Sequence, residues 1–191
     1  MTKTFTPLAS AIALAAALAA SSAHADAYDF QGFYGGVELG ISSLDSSIPM
    51  PLGSGNSFGL FAGYNHALNS DFIIGGELSY VTDSDHQIAP GVDFTIEGPT
   101  ELRARLGYVT GNTMIYGALG YTWADYTQTG VGFSDSFEGV SYGLGLETLL
   151  TESVSLRIDY THTQYETGGL IYPTMFEFET DTVSLGIAYH F

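Results

Sequence analysis

The chain has 191 residues and carries 21 acidic residues against four basic ones, a formal net charge of −17 at pH 7. This charge disfavours nucleic-acid binding, which requires a basic surface. The chain contains no cysteine, so disulfide bonds and cysteine-based metal sites are excluded.

The first 25 residues have the features of a secretory signal peptide. Lys3 lies near the start, an apolar run covers residues 8–20, and Ala23-His24-Ala25 forms a small–x–small pattern. This run is shorter than the about 20 residues that a membrane-spanning helix needs. We therefore expect export with cleavage after Ala25, and one domain over residues 26–191.

Beyond residue 25, apolar and polar residues alternate with a period of two, and no helical period persists. Such alternation predicts β-strands with one apolar and one polar face. Eight strands are predicted, at residues 33–41, 57–66, 72–81, 100–110, 113–126, 137–149, 153–165 and 176–191.

The links between these predicted strands alternate in length along the chain. The short links are residues 67–71, 111–112 and 150–152, and the long links are residues 42–56, 82–99, 127–136 and 166–175. In an antiparallel meander all short links lie at one end, which is typical of an outer-membrane barrel with short periplasmic turns and long external loops. An even number of strands places both termini at the short-turn end.

The polar face separates a membrane barrel from a soluble β-sandwich, which also has one apolar face. It is rich in Gly, Ala and Ser, which suit the narrow interior of an eight-stranded barrel, and it holds all three arginines of residues 26–191. Ions in a closed lumen must be paired, because desolvation otherwise costs several kcal/mol per ion. We therefore predict a lumen charge network of Glu38, Glu77, Arg103, Arg105, Glu147, Arg157 and Asp159. The alternative is a set of solvated surface pairs, worth about 0–1 kcal/mol each.

Aromatic residues gather near the strand ends, as in the girdles of membrane barrels. His66 and His190 are predicted to belong to these girdles.

Four stretches resemble the small outer-membrane β-barrel family of Gram-negative bacteria, the opacity/OmpA-type porin-like proteins common in alphaproteobacteria. They are FYGGVELG, LRARLGYVTGNTMIYGALGYTWADY, GLGLETLLTESVSLRIDYTHTQY and VSLGIAYHF. The resemblance implies an all-β fold, an eight-stranded antiparallel up-and-down transmembrane β-barrel in the cell outer membrane. It also implies that Tyr189 and Phe191 form an assembly signal read by the barrel-assembly machinery during insertion.

No catalytic, cofactor or metal site is predicted. His162-Thr163-Gln164, near the outer end of a late strand, resembles the His–x–Ser pair of the sister class of lipid A deacylases. Gln164, however, stands where that class has its serine nucleophile. Asp83, Asp85 and His86 form one polar cluster and Glu177, Glu179 and Asp181 another. Neither cluster has the ligand spacing of a calcium loop, so they are interpreted as solvated charge or as weak bridges through divalent cations to lipopolysaccharide.

Two long links carry apolar residues that water would contact if these links are external. They are Ile48, Met50, Leu52, Leu170, Ile171, Met175 and Phe176. Soluble loops rarely expose such residues without a partner. These residues therefore either pack over the barrel mouth or form a contact surface for a host, phage or envelope protein.

These patterns favour a monomeric structural and surface protein in contact with outer-membrane lipid and lipopolysaccharide. Its expected role is envelope integrity, with adhesion or recognition through the external loops. The alternatives are a narrow porin-like channel for very small solutes and a lipid A-modifying barrel enzyme.

Overall fold

The computed structural model describes residues 25–46, 54–82, 84–89, 92–128, 133–167 and 177–191. Within these ranges no helix has the length and apolarity needed to cross a membrane. The described residues form nine strands: β1 Gly32–Ser46, β2 Ser54–Ala67, β3 Phe72–Val81, β4 Ser84–Ala89, β5 Val92–Thr110, β6 Thr113–Gln128, β7 Phe133–Leu149, β8 Val154–Thr167 and β9 Glu177–His190.

Eight of these strands close into an antiparallel barrel. The order around the sheet is β3-β2-β1-β9-β8-β7-β6-β5, and β3 pairs with β5 to complete the circle. Strands that follow each other in the sequence are neighbours, except that β4 is left outside the ring. This confirms the predicted eight-stranded up-and-down barrel.

The region predicted as a loop at residues 82–99 is instead mostly strand. It contains β4 and the first part of β5, which pair with each other, and residues 94–97 of β5 also pair with the end of β6. This pairing satisfies backbone groups that a loop would leave to water. The prediction was wrong because the alternating residues Val92, Phe94 and Ile96 were not recognised as a strand signal.

The barrel has an apolar outer surface and a polar interior. Large apolar side chains on the outer face are well exposed, for example Leu144 at 68% and Leu39 at 63%. The most deeply buried side chains include Arg157, Glu77 and Glu147. This distribution fits a barrel whose outer face contacts lipid.

The short-turn end of the lumen is filled by an apolar stopper, which was not predicted from the sequence. A turn at residues 27–30 folds into this end, with the Ala27 amide donating to the Ser70 carbonyl at 2.9 Å. The stopper is the buried cluster of Ala27, Phe30, Ala67, Ile73, Val109, Met114, Tyr116 and Leu149. It closes the lumen at its short-turn end.

Glycines in the lumen make room for its large side chains. A Cβ atom at Gly145 would collide with the ring of Tyr116, and one at Gly63 would collide with the ring of Tyr34. Gly76 differs, because a Cβ atom there would meet nothing within 4 Å. The small residues of the polar face are therefore needed for packing at particular positions.

We predict that Gly145→Ala destabilises the barrel by about 1–3 kcal/mol, as overpacking does elsewhere. The Tyr116 ring cannot move away freely, because its hydroxyl donates to Asp159 Oδ1 at 2.6 Å. The matched control Gly76→Ala, on the outer face, should keep or slightly raise stability. Urea unfolding of both variants in detergent checks this, and equal losses would contradict it.

Candidate functional site

The centre of the lumen holds a carboxylate that is engaged by three arginines. Glu77 on β3 is 1% exposed and lies 2.6 Å from Arg103 Nη2, 2.8 Å from Arg105 Nη1 and 2.7 Å from Arg157 Nη1. The Tyr34 hydroxyl also donates to Glu77 Oε2 at 2.8 Å. Glu77 thus links β1, β3, β5 and β8 across the barrel.

A second carboxylate, Glu147 on β7, lies on the side of the lumen nearer the stopper. Its Oε2 is 2.7 Å from Arg105 Nη2, and its Oε1 accepts from Ser155 Oγ at 2.7 Å. His190 Nε2 lies 3.0 Å from the same Oε1. His190 is therefore a buried lumen residue, and its prediction as a girdle residue was wrong.

The remaining two carboxylates join the network through Arg157. Asp159 Oδ2 is 3.1 Å from Arg157 Nε, an ion pair that lacks hydrogen-bond alignment, and Asp159 Oδ1 is 3.3 Å from Arg103 Nη2. Glu38 Oε2 is 3.1 Å from Arg157 Nη2 and accepts from Ser184 Oγ at 3.3 Å.

The structure thus brings all seven residues of the predicted network together. We call them the charged layer: Glu38, Glu77, Arg103, Arg105, Glu147, Arg157 and Asp159. Three guanidinium groups face four carboxylates, so these seven residues carry one excess negative charge when all are ionised.

Aromatic rings also stabilise the arginines of the charged layer. Arg157 Cζ lies 3.6 Å from the centre of the Phe61 ring, and Arg105 Cζ lies 4.0 Å from that of Tyr116 and 5.2 Å from that of Tyr34. A desolvated guanidinium over an aromatic face gains a cation–π attraction.

These three aromatic residues were not predicted as lumen residues, although the sequence carries a signal for them. Tyr34 and Glu38 both have even residue numbers on β1. This parity, odd or even, decides which face of a strand a side chain occupies. Phe61 and Tyr116 likewise share the parity of the small lumen residues of their strands. Parity alone therefore places all three rings inside the barrel.

A cavity of about 110 Å³ lies between the charged layer and the long-link end of the barrel. Its floor includes Glu38 and Arg103, and a further carboxylate, Glu101, lines it. Most of its other polar residues are serines and threonines. The lumen therefore has three successive levels: the apolar stopper, the charged layer and this cavity.

His162 lies on the outer face, as predicted, and pairs with an acidic neighbour. Its Nδ1 is 2.9 Å from Asp181 Oδ1, which also accepts from the Tyr160 hydroxyl at 2.6 Å. Gln164 Nε2 is 3.5 Å from Glu179 Oε1, at the limit of hydrogen-bond distance. Among the described residues, no group of three or more His, Cys, Asp or Glu side chains could hold a metal ion.

The other predicted site residues divide into two groups. Tyr189 and Phe191 are exposed on the outer face, with ring centres 5.1 Å apart. The seven apolar residues of the long links, Ile48, Met50, Leu52, Leu170, Ile171, Met175 and Phe176, lie outside the described residues, as does Asp83.

The family model of the outer membrane protein beta-barrel domain matches residues 12–191. The chain belongs to this family. The match agrees with the closed barrel, its apolar outer surface and the resemblance noted in the sequence, and it places the protein in the outer membrane. No curated protein matches the sequence.

Solved structures of small outer-membrane barrels are similar to this barrel domain. Ail, the attachment invasion locus protein of Yersinia pestis, is 16% identical, with 84% of this chain and 99% of that chain covered and a TM-score of 0.56. Neisserial surface protein A is 17% identical, with 84% and 98% covered and a TM-score of 0.59. Ail in complex with the heparin analogue sucrose octasulfate is 17% identical, with 84% and 99% covered and a TM-score of 0.55. At these identities the likeness concerns the fold alone.

We predict that Arg157→Ala destabilises this outer-membrane barrel by roughly 3–5 kcal/mol, the range for breaking a buried ion pair. The change leaves Glu38, Glu77 and Asp159 without the guanidinium that joins them. Thermal unfolding in detergent, followed by heat-modifiable gel mobility, measures the loss.

Glu152→Ala is the matched control, because Glu152 is exposed in the short turn between β7 and β8. This change should alter stability by about 0.5 kcal/mol or less. If Arg157→Ala were as mild as the control, the charged layer would contribute no more than solvated surface pairs.

Proposed function

We propose that this protein is a non-catalytic, monomeric barrel that supports envelope integrity and presents its long links to the exterior for adhesion or recognition. The observation that carries this proposal is the filled lumen. Two of its three levels, the apolar stopper and the charged layer, are packed with buried side chains. A filled lumen favours a structural role over transport.

The proposed role requires export and insertion. We infer that residues 1–25 act as a signal peptide cleaved after Ala25, and that Tyr189 and Phe191 are read by the barrel-assembly machinery. The exposed position of Phe191, at 82%, supports this inference, because an assembly factor can contact an exposed ring without unpacking the lumen.

Charge limits the partners that the exterior can bind. All three arginines of the barrel lie in the charged layer, and the one lysine, Lys3, lies in the proposed signal peptide. The outer parts of the barrel therefore offer no arginine or lysine to a polysulfated ligand. We infer that a host, phage or envelope partner of the long links is neutral or cationic.

A lipid A-modifying activity is the less favoured alternative, although one contact supports part of it. The His162–Asp181 pair resembles a catalytic base held by an acidic residue. The position two residues after the base is Gln164, which cannot serve as the nucleophile of acyl transfer. We therefore infer that this pair is structural.

The filled lumen predicts that the purified protein forms no stable conductance in a planar lipid bilayer. The charged layer would have to break several buried ion pairs before an ion could pass. A porin reconstituted in the same bilayer is the positive control. Steady single-channel currents that scale with the amount of folded barrel would instead favour the narrow channel.

Deletion of the protein from its parent bacterium should raise the uptake of dyes and antibiotics that an intact outer membrane excludes. The lipid A acyl pattern, measured by mass spectrometry on the same strains, should not change. Restoring the protein should restore the barrier. Unchanged uptake after deletion would contradict the structural role, and an altered acyl pattern would favour the enzyme.

A variant tests the apolar residues of the long links in the same deletion strain. It is expressed there with serine at the following positions: Ile48, Met50, Leu52, Leu170, Ile171, Met175 and Phe176. If these residues contact partners, this variant should restore the barrier but lose binding to host cells or phage. Retained binding would show that they are not the contact surface.

A further inference from the structure

The cavity on the long-link side of the charged layer has the polar groups of a ligand site, and we call it the cup. We propose that the cup binds a small organic ammonium ion, such as one end of an aliphatic diamine. This inference goes beyond the proposed function and does not depend on it, because binding in the cup requires neither transport nor a partner of the long links.

The size of the cup suits a short, narrow ligand. Its volume is about 110 Å³, whereas one water molecule needs roughly 10–15 Å³ by the same measure. Along β1 it extends from Glu38 to Ser42, about 13 Å at roughly 3.3 Å per residue. A linear chain of four to six heavy atoms fits these dimensions, whereas an ordered macromolecular segment does not.

One row of the cup matches the hydrogen-bonding pattern of an ammonium group. Glu101 on β5 pairs with Ser79 on β3 and with Thr122 on β6, so a hydroxyl-bearing residue flanks the carboxylate on each side. Directly opposed residues have Cβ atoms about 4.5–5.5 Å apart. A primary ammonium has three N–H donors and can donate to the carboxylate and to one of the two flanking hydroxyl oxygens.

Two acceptors in this row, the Glu101 carboxylate and the Thr122 hydroxyl, can still accept hydrogen bonds from a ligand. Glu101 Oε1 accepts from Ser141 Oγ at 2.5 Å, but no basic side chain of the described residues lies within 4.0 Å of this carboxylate. Thr122 is 4% exposed, and its Oγ1 has no hydrogen-bond partner among the described residues. A partly buried carboxylate gains from a counter-ion, and an unpaired buried hydroxyl gains from a donor.

The charge of the cup selects a cation. Glu38 and Glu101 both line it, and among the described residues Arg103 is the one cationic residue that does so. Arg103 is already held by Glu77 at 2.6 Å and by Asp159 at 3.3 Å. An anion would have to compete with these two carboxylates and would be repelled by Glu38 and Glu101.

An ammonium suits this set of groups better than a metal ion. Apart from its two carboxylates, the cup offers mainly hydroxyl groups. Protein sites for calcium usually supply six to eight oxygen ligands with several carboxylates. No metal-binding group of His, Cys, Asp and Glu exists in the described part of the chain.

The test titrates 1,4-diaminobutane into the full-length folded barrel in zwitterionic detergent, with calorimetry as the readout. The neutral chain 1,4-butanediol and magnesium chloride are titrated separately. We expect saturable one-to-one binding of the diamine. The diol lacks the charge, and its affinity should be weaker than that of the diamine by about tenfold or more. Equal affinity for the diol or for magnesium would overturn the assignment, as would the absence of diamine binding.

Glu101→Gln keeps the side-chain size, removes the charge and should weaken diamine binding about tenfold or more. Glu152→Gln is the matched control at the opposite end of the barrel and should bind like the wild type. Unchanged affinity in Glu101→Gln would overturn the proposal.

Thr122→Val is the second variant, and it removes the unpaired hydroxyl at nearly constant volume. It should also weaken diamine binding, by a smaller factor than Glu101→Gln. Heat-modifiable gel mobility establishes that each variant is folded. If Glu101→Gln does not fold, Thr122→Val decides alone, and unchanged affinity in this variant would then overturn the proposal.

Discussion

The structure depends on the neutralisation of three guanidinium groups inside a lumen that excludes bulk water. An unpaired ion there costs several kcal/mol, so Arg103, Arg105 and Arg157 need carboxylates at contact distance. Glu77 contacts all three, and it can do so only if β3, β5 and β8 curve around one axis. The same contacts that neutralise the arginines therefore favour closure of the barrel.

The three levels of the lumen give the protein two different ends. The stopper uses apolar packing at the short-turn end, where the turn at residues 27–30 enters the barrel. The charged layer is held by ion pairs with little solvent access. The cup combines the unpaired hydroxyl of Thr122 with the Glu101 carboxylate, which has no basic partner among the described residues. The proposed ligand site therefore lies on the long-link side, where the lumen has a cavity.

The outer surface follows from the same separation of residue types. Placing every arginine inside leaves an exterior that combines an apolar belt with acidic groups such as Asp181 and Glu179. Small barrels of similar fold, such as Ail and Neisserial surface protein A, share the architecture, but fold does not determine ligand. The charge of the exterior here argues against a polysulfated ligand like the heparin analogue that is bound in one Ail structure.

The sequence by itself determined which face of each strand is polar, because side chains alternate with a period of two. Together with the alternating link lengths and the small residues of the polar face, this was enough to predict an eight-stranded barrel and the seven members of the charged layer. The same alternation could also have placed Tyr34, Phe61 and His190 inside, but the two aromatic residues were not assigned and His190 was predicted as a girdle residue.

Only the tertiary structure decided which lumen residues touch. Arg157 and Glu77 are 80 residues apart, and their contact depends on strand stagger and on the closing pair β3–β5, which are properties of the whole barrel. The stopper and the cup arise in the same way, because a local pattern records the face of a side chain but not its level along the barrel axis.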